Sequence, residues 1–152
     1  MTVQYKMNFN EENPLKQRLQ SAQFMFLVEY NLPAKEDNLS RVFEEINGIC
    51  EYSAENPEIA SICLTDKLAG ENSIDPLELS PKVLSRSGKS PVIHVSGKGL
   101  DKESARERLA SLSSEGVNNI LAVSGDLDPE YNKYCDSVEI IRQAREMGKN
   151  FF

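Results

Sequence analysis

Ile120-Leu121-Ala122-Val123-Ser124-Gly125-Asp126 is a short apolar run that stops abruptly at Ser, Gly and Asp. Three earlier stretches stop the same way. Phe24-Met25-Phe26-Leu27-Val28 ends at Glu29, Ile59-Ala60-Ser61-Ile62-Cys63-Leu64 ends at Thr65, and Pro91-Val92-Ile93 ends at His94. The polar ends are separated by 36, 29 and 32 residues, close to the ~30 residues of one strand–helix unit. In parallel α/β sheets chemistry gathers at the carboxyl ends of the strands. The spacing therefore predicts that Glu29, Thr65, His94 and Asp126 face one common site.

The segments between the runs carry helical signals. After a polar arm over 1–10, Asn13-Pro14 starts a helical stretch to about Gln23, with Leu15 and Leu19 four apart on one face. The first strand is expected over 24–30 and is broken by Asn31-Leu32-Pro33. Asn38 or Ser40 caps the next helix, whose Leu39, Val42, Phe43, Ile46 and Ile49 recur at helical spacing. A second strand over 58–65 leads through a polar loop to Asp75-Pro76, a cap followed by proline at the first helical position. Pro81 is expected to bend or divide that helix, and Ser87-Gly88 ends it. A third strand over 91–95 precedes Ser96-Gly97-Lys98-Gly99. Asp101 caps the next helix, Leu109 and Leu112 line its buried stripe, and Glu115-Gly116 closes it. A fourth strand over 118–124 and a helix over about 136–148, closed by Gly148, complete the pattern. The order βαβαβαβα without a hairpin signal predicts parallel strands and right-handed crossovers.

At 152 residues the chain is expected to form one α/β domain over 1–152 with a real core. A closed eight-stranded (β/α) barrel takes roughly 250 residues, so about four units are accommodated. Lys149-Asn150-Phe151-Phe152 falls where a fifth strand would begin. The expectation is either an open four-stranded sheet or half of a larger barrel. A half barrel leaves the inward side chains of its first and last strands uncovered, and is expected to form a homo-oligomer or to need a partner subunit. A net charge of −7 and a pI near 4.8 argue against nucleic acid and anionic membrane surfaces as partners. No run approaches a membrane span. Three cysteines without a CxxC pair fit a reducing, cytoplasmic setting, with Cys63 a small buried apolar residue.

Several motifs fail. Ser87-Gly88-Lys89-Ser90 resembles the end of a phosphate-binding loop, but position 83 is Val and the segment lies between a helix and a strand, which is the wrong order. It reads as a polar turn. Gly97-Lys98-Gly99 is not a dinucleotide fingerprint. One histidine and no CxxC make a zinc site unexpected, and no metal is assigned. What remains is the polar ends. Glu29 closes a strand of Phe, Met, Leu and Val. A carboxyl group there is expected to be part-buried, which raises its pKa and suits a general acid; the alternative is a solvent-facing strand end. Asp126 can serve a cofactor or simply be a turn residue. His94 can donate to a ligand or be a satisfied core histidine.

Phe26-Leu27-Val28-Glu29-Tyr30-Asn31-Leu32-Pro33, Ser61-Ile62-Cys63-Leu64-Thr65-Asp66, Pro91-Val92-Ile93-His94 and Tyr134-Cys135-Asp136-Ser137-Val138 together resemble successive segments of methylenetetrahydrofolate reductases. The strongest match is Gly116 to Asp126, where that family has Gly, Asn-Ile, an apolar stretch and Gly-Asp. The resemblance spans about 24–148 and the first half of the family's barrel. It implies a flavin-dependent (β/α)8 TIM barrel, of which this chain supplies about the first four βα units. It also implies FAD, with FMN as the alternative, reduced by NAD(P)H or another electron donor. The implied reaction converts 5,10-methylenetetrahydrofolate to 5-methyltetrahydrofolate. By position, Glu29 would be the general acid and Asp126 would tune flavin and pterin, while Thr65, His94, Ser124, Gly125, Asp126 and Tyr134 would be the flavin-site residues. There are departures. Ser124 stands where many members have Arg, which supplies charge and donors. His94-Val95-Ser96-Gly97 replaces His-x-Thr-Cys, and Thr65-Asp66-Lys67 replaces the commoner Thr-Tyr-Gly.

Overall fold

A computed structural model describes residues 13–21, 23–34, 39–66, 73–125, 134–148 and 151–152. Their order is α1 (Pro14–Gln20), β1 (Phe26–Tyr30), α2 (Leu39–Glu55), β2 (Ile59–Leu64), α3 (Pro76–Ser87), β3 (Val92–Ser96), α4 (Lys102–Ser114), β4 (Asn119–Val123) and α5 (Ser137–Glu146). The strands form one sheet in the order β1-β2-β3-β4, and every neighbouring pair is parallel. A helix between successive strands returns the chain to the same edge, so the alternation seen in the sequence translates directly into this sheet.

Strand alternation divides the sheet into two faces. On one face Ile62, Leu64, Ile93 and Val95 pack against Val42 and Ile46 of α2, Leu79 and Val83 of α3, Leu109 and Leu112 of α4, and Ile140 and Ala144 of α5. Burying each such aliphatic side chain contributes about 1.5–3 kcal/mol, so this helix-side layer is the main core. The other face carries Leu27 and Glu29, Cys63, Val92 and His94, and Asn119 and Leu121, as the pairings Glu29 with Cys63, Cys63 with Val92, Val92 with Asn119 and His94 with Leu121 require. Among the described residues only its foot is covered. Leu15 of α1 packs there with Cys63 and Val92. The Asn13 Oδ1 accepts from the Leu15 and Lys16 backbone N–H groups at 3.0 and 3.2 Å, and its amide donates to Asn119 Oδ1 at 2.6 Å. One residue thus caps α1 and ties it to β4.

The other helix starts follow the expected chemistry. Asp75 accepts from Leu77 N–H, with Pro76 at the first helical position and Glu78 completing a capping box. Asp101 accepts from Ser104 N–H at 2.9 Å, and Asp136 from Glu139 N–H at 2.7 Å. Asn38 lies outside the described residues, as do the arm over 1–10 and Asp126. Ser40 falls within the first turn of α2 rather than before it.

Some expectations need correction. Pro81, expected to bend or divide its helix, does not divide it, because α3 runs unbroken from Pro76 to Ser87. Proline removes one N–H donor, and here that donor would have bonded the Leu77 carbonyl near the helix start, while the Pro81 ring itself is exposed. The first strand begins at Phe26 rather than at 24. Ser87-Gly88-Lys89-Ser90 is a turn. Gly88 has φ +69°, and Lys89 Nζ donates to the carbonyls of Ser53 and Asn56 at the end of α2. The lysine therefore neutralises the negative end of a helix.

Phe152 lies alongside β4. Its N–H donates to Asn118 O at 2.7 Å, and its carbonyl accepts from Ile120 N–H at 2.9 Å. Donating to one residue and accepting from the second residue beyond it is the pattern of a parallel neighbour, at the place expected for a fifth strand. Among the described residues no helix is long and apolar enough to cross a membrane.

Candidate functional site

The carboxyl ends of the four strands lie side by side, and β1 and β3 bring Glu29 and His94 together. Glu29 Oε2 stands 3.7 Å from His94 Nε2. The two residues are 65 positions apart in the sequence and meet because both alternate onto the uncovered face. The part-burial expected of Glu29 is not found: its side chain is 53 % exposed, against 12 % for His94. Val28 and Tyr30 flank Glu29 in sequence, but alternation sends both to the opposite face. A strand's apolar composition therefore does not desolvate every member of it. His94 Nε2 is itself buried and has no hydrogen-bond partner among the described residues, so His94 is not a satisfied core histidine. Between them lies Cys63, whose pKa is pushed up to about 11 by burial first and by the Glu29 charge second. Its thiol stays protonated and unreactive.

Thr65 uses its hydroxyl locally. Oγ1 accepts from Leu32 N–H at 2.9 Å, while Thr65 N–H donates to Tyr30 O at 3.3 Å. Thr65 thereby holds the turn that leaves β1. Ser124 is similarly committed: its Oγ accepts from Ser137 N–H at 3.1 Å and donates to Ser137 Oγ at 3.2 Å. Ser137 is the first residue of α5, so Ser124 adds a second cap to that helix.

The turn after β3 is the hub of the rim. Gly97 N–H donates to Val123 O at 2.9 Å, and Gly97 O accepts from Cys135 N–H at 3.0 Å and Leu100 N–H at 3.2 Å. Lys98 and Tyr134 form an isolated bridge, which leaves the Tyr134 side chain exposed. A Cβ at Gly97 would lie 1.4 Å from the Cys135 carbonyl oxygen. Only glycine admits the segment that follows β4. Gly125, at φ +75°, would put a Cβ 3.0 Å from Ser96 Oγ and Lys98 Cβ. These contacts lock the ends of β3 and β4 together.

On the helix side of the same rim is an ion-pair cluster not expected from the sequence. Asp66 Oδ2 accepts from Ser96 N–H at 2.9 Å, and Asp66 Oδ1 pairs with Arg108 Nη2 at 3.0 Å. Arg108 also reaches both carboxylate oxygens of Asp75, at 3.0 and 3.1 Å. Burial opposes the charge on Arg108, but Asp66 and Asp75 outweigh it and hold its pKa above the ordinary arginine value. The only available signal was that Asp66 occupies a position where the resembled family commonly has Tyr. Nothing in the sequence pairs it with Arg108.

A comparison with protein families matches residues 14–151 to methylenetetrahydrofolate reductase. The chain belongs to this family. No curated protein matches it. The four parallel strands with interleaved helices are those of a partial TIM barrel. Reductases of this family are generally flavin-dependent. The residues present fit such a group at one place above all: the open face at the strand ends holds a buried, unpartnered ring nitrogen at His94 beside the Glu29 carboxylate. Thr65 and Ser124 fit less directly, because their hydroxyls already serve the backbone.

Proposed function

We propose that this chain supplies one side of a flavin-dependent reductase site that converts 5,10-methylenetetrahydrofolate to 5-methyltetrahydrofolate in a cytoplasmic setting. The observation that carries the proposal is the Glu29–His94 pair on the uncovered face of a sheet of this family. His94, Thr65, Ser124, Gly125, Asp126 and Tyr134 would hold the flavin, FAD or FMN. A bound flavin supplies the hydride that reduces the one-carbon unit, replenished by NAD(P)H or another donor. Glu29, close to solvent and to His94, can carry the proton that the folate nitrogen takes up when its five-membered ring opens. His94 Nε2 stands 3.7 Å from that carboxyl group. Asp126 follows the Gly125 turn and is assigned the tuning of the flavin and pterin environment.

Titration of the chain with FAD and FMN, followed by flavin fluorescence, tests the cofactor assignment. Saturable binding is expected, and absence of binding for both flavins overturns it. In the flavin-loaded protein, Glu29→Gln is expected to slow folate reduction by roughly 10²–10⁴-fold, the usual worth of general acid catalysis, while leaving flavin reduction by the donor intact. Equal loss of both half-reactions would make Glu29 structural.

A second reading is favoured by the exposure of Leu27 and Leu121 on the same face. The chain would then be a flavin- or folate-binding half barrel that turns over only with a partner subunit or a second copy. Flavin binding without folate reduction by the isolated chain supports it.

A further inference from the structure

We propose that Asp66 and Arg108 are positioning residues for this site, setting the turn after β3 against which the segments carrying Gly125 and Tyr134 rest. The ligand involved rests on the flavin reading above; the geometry stands by itself. The β2–β3 ladder lasts only from Cys63–Leu64 opposite Val92–Ile93. Beyond it, the carboxylate of Asp66 takes the place of a strand carbonyl and accepts the Ser96 N–H. Such a charge-assisted bond is stronger than the neutral bond it replaces, but it requires a buried carboxylate. The Asp66 side chain is 4 % exposed and the Arg108 side chain 16 %. A charge removed from water persists only when paired, and Arg108 provides the pairing while also gripping Asp75, the cap of α3. One guanidinium thereby joins the ends of β2 and β3 to the start of α3 and the middle of α4. Bridging two carboxylates this way needs the planar fork of arginine rather than a lysine point charge.

The consequence reaches the inner rim through Ser96. Its hydroxyl accepts from Lys98 N–H at 3.3 Å and would lie 3.0 Å from a Cβ at Gly125, while the missing side chain of Gly97 admits the Cys135 carbonyl. A displacement of Ser96 must therefore move Gly125, Tyr134 and Cys135 as well. Neither Asp66 nor Arg108 needs to touch the ligand to control it.

The test uses four variants of the chain: Asp66→Asn, Arg108→Lys, the double Asp66→Asn/Arg108→Gln, and Arg106→Gln as an exposed control on α4. The double variant removes the buried pair as a unit and leaves only Asp75, whose side chain is 30 % exposed, so it remains informative if a single variant, which breaks the pair from one side, does not fold. Circular dichroism identifies the folded variants. In their ¹⁵N–¹H spectra the amides of Lys98, Gly125 and Cys135 are expected to shift, and flavin affinity is expected to fall roughly tenfold or more, as when outer supporting partners of other sites are lost. Arg106→Gln should change neither. Folded Asp66 and Arg108 variants with unmoved Gly125 and Cys135 amides, or with wild-type flavin affinity, overturn the proposal. If the wild-type chain binds neither FAD nor FMN, the flavin reading fails, and the amide shifts alone decide whether the pair sets the turn.

Discussion

The thiol of Cys63 shows how one residue's surroundings become measurable. Burial and the neighbouring Glu29 push its pKa up to about 11, above the ordinary cysteine value of ~8.5. The native state thus keeps a proton that the unfolded chain releases. That contribution to stability is complete below the unfolded pKa and is lost as pH rises through the native one. The melting temperature is therefore expected to fall between about pH 9 and 11, and Cys63→Ala should flatten this slope. A slope unchanged in the variant would remove Cys63 as its source. Cys63 was legible as buried because it sits within a six-residue apolar run. The exposure of Glu29 was not, because it depends on which face the residue occupies and on what covers that face. Ser124 was legible as a departure from its family, yet its bond to the start of α5 emerges only once the chain has closed the loop between them.

At the level of elements, local signals were strong where a side chain answers its own backbone. Asp75, Asp101 and Asp136 all cap helices, and Asp75 and Asp101 had been assigned that role from position alone. Asp101→Ala is expected to cost about 1 kcal/mol, read as a shift in the urea midpoint with unchanged slope. Pro81 does not divide α3, because proline's cost depends on which carbonyl loses its partner and on where its ring lies, and this ring is exposed. Gly97 is the opposite case: its importance is invisible locally and comes from Cys135, 38 residues later. Gly97→Ala should destabilise by at least about 1–3 kcal/mol and displace the Tyr134 segment. A variant with wild-type stability and an unmoved Cys135 amide would contradict the close approach.

The described residues form a sheet with one finished side. Helices α2 to α5 seal the helix face, whereas among the described residues the opposite face is closed only at its foot by α1. Leu27 and Leu121, 48 % and 45 % exposed, stand on that face near Glu29 and His94. Exposed apolar side chains on a sheet face bind amphiphilic dyes. The native chain is expected to enhance anilinonaphthalene sulfonate fluorescence, and Leu27→Lys with Leu121→Lys should abolish most of the enhancement without lowering the melting temperature. A wild-type chain that leaves the dye dark would mean that the face is covered.

The sequence by itself determined the alternation of strands and helices, the parallel order and most of the caps, because each depends on periodicity or on contacts a few residues apart; its resemblance to known segments pointed to the family. Tertiary structure decided which polar strand ends meet. Glu29 and His94 converge because both alternate onto one face, Thr65 and Ser124 take the backbone N–H groups of Leu32 and Ser137, and Asp66 finds Arg108 across two elements. Such pairings depend on register and on helix packing against the sheet, quantities that no local window of residues contains.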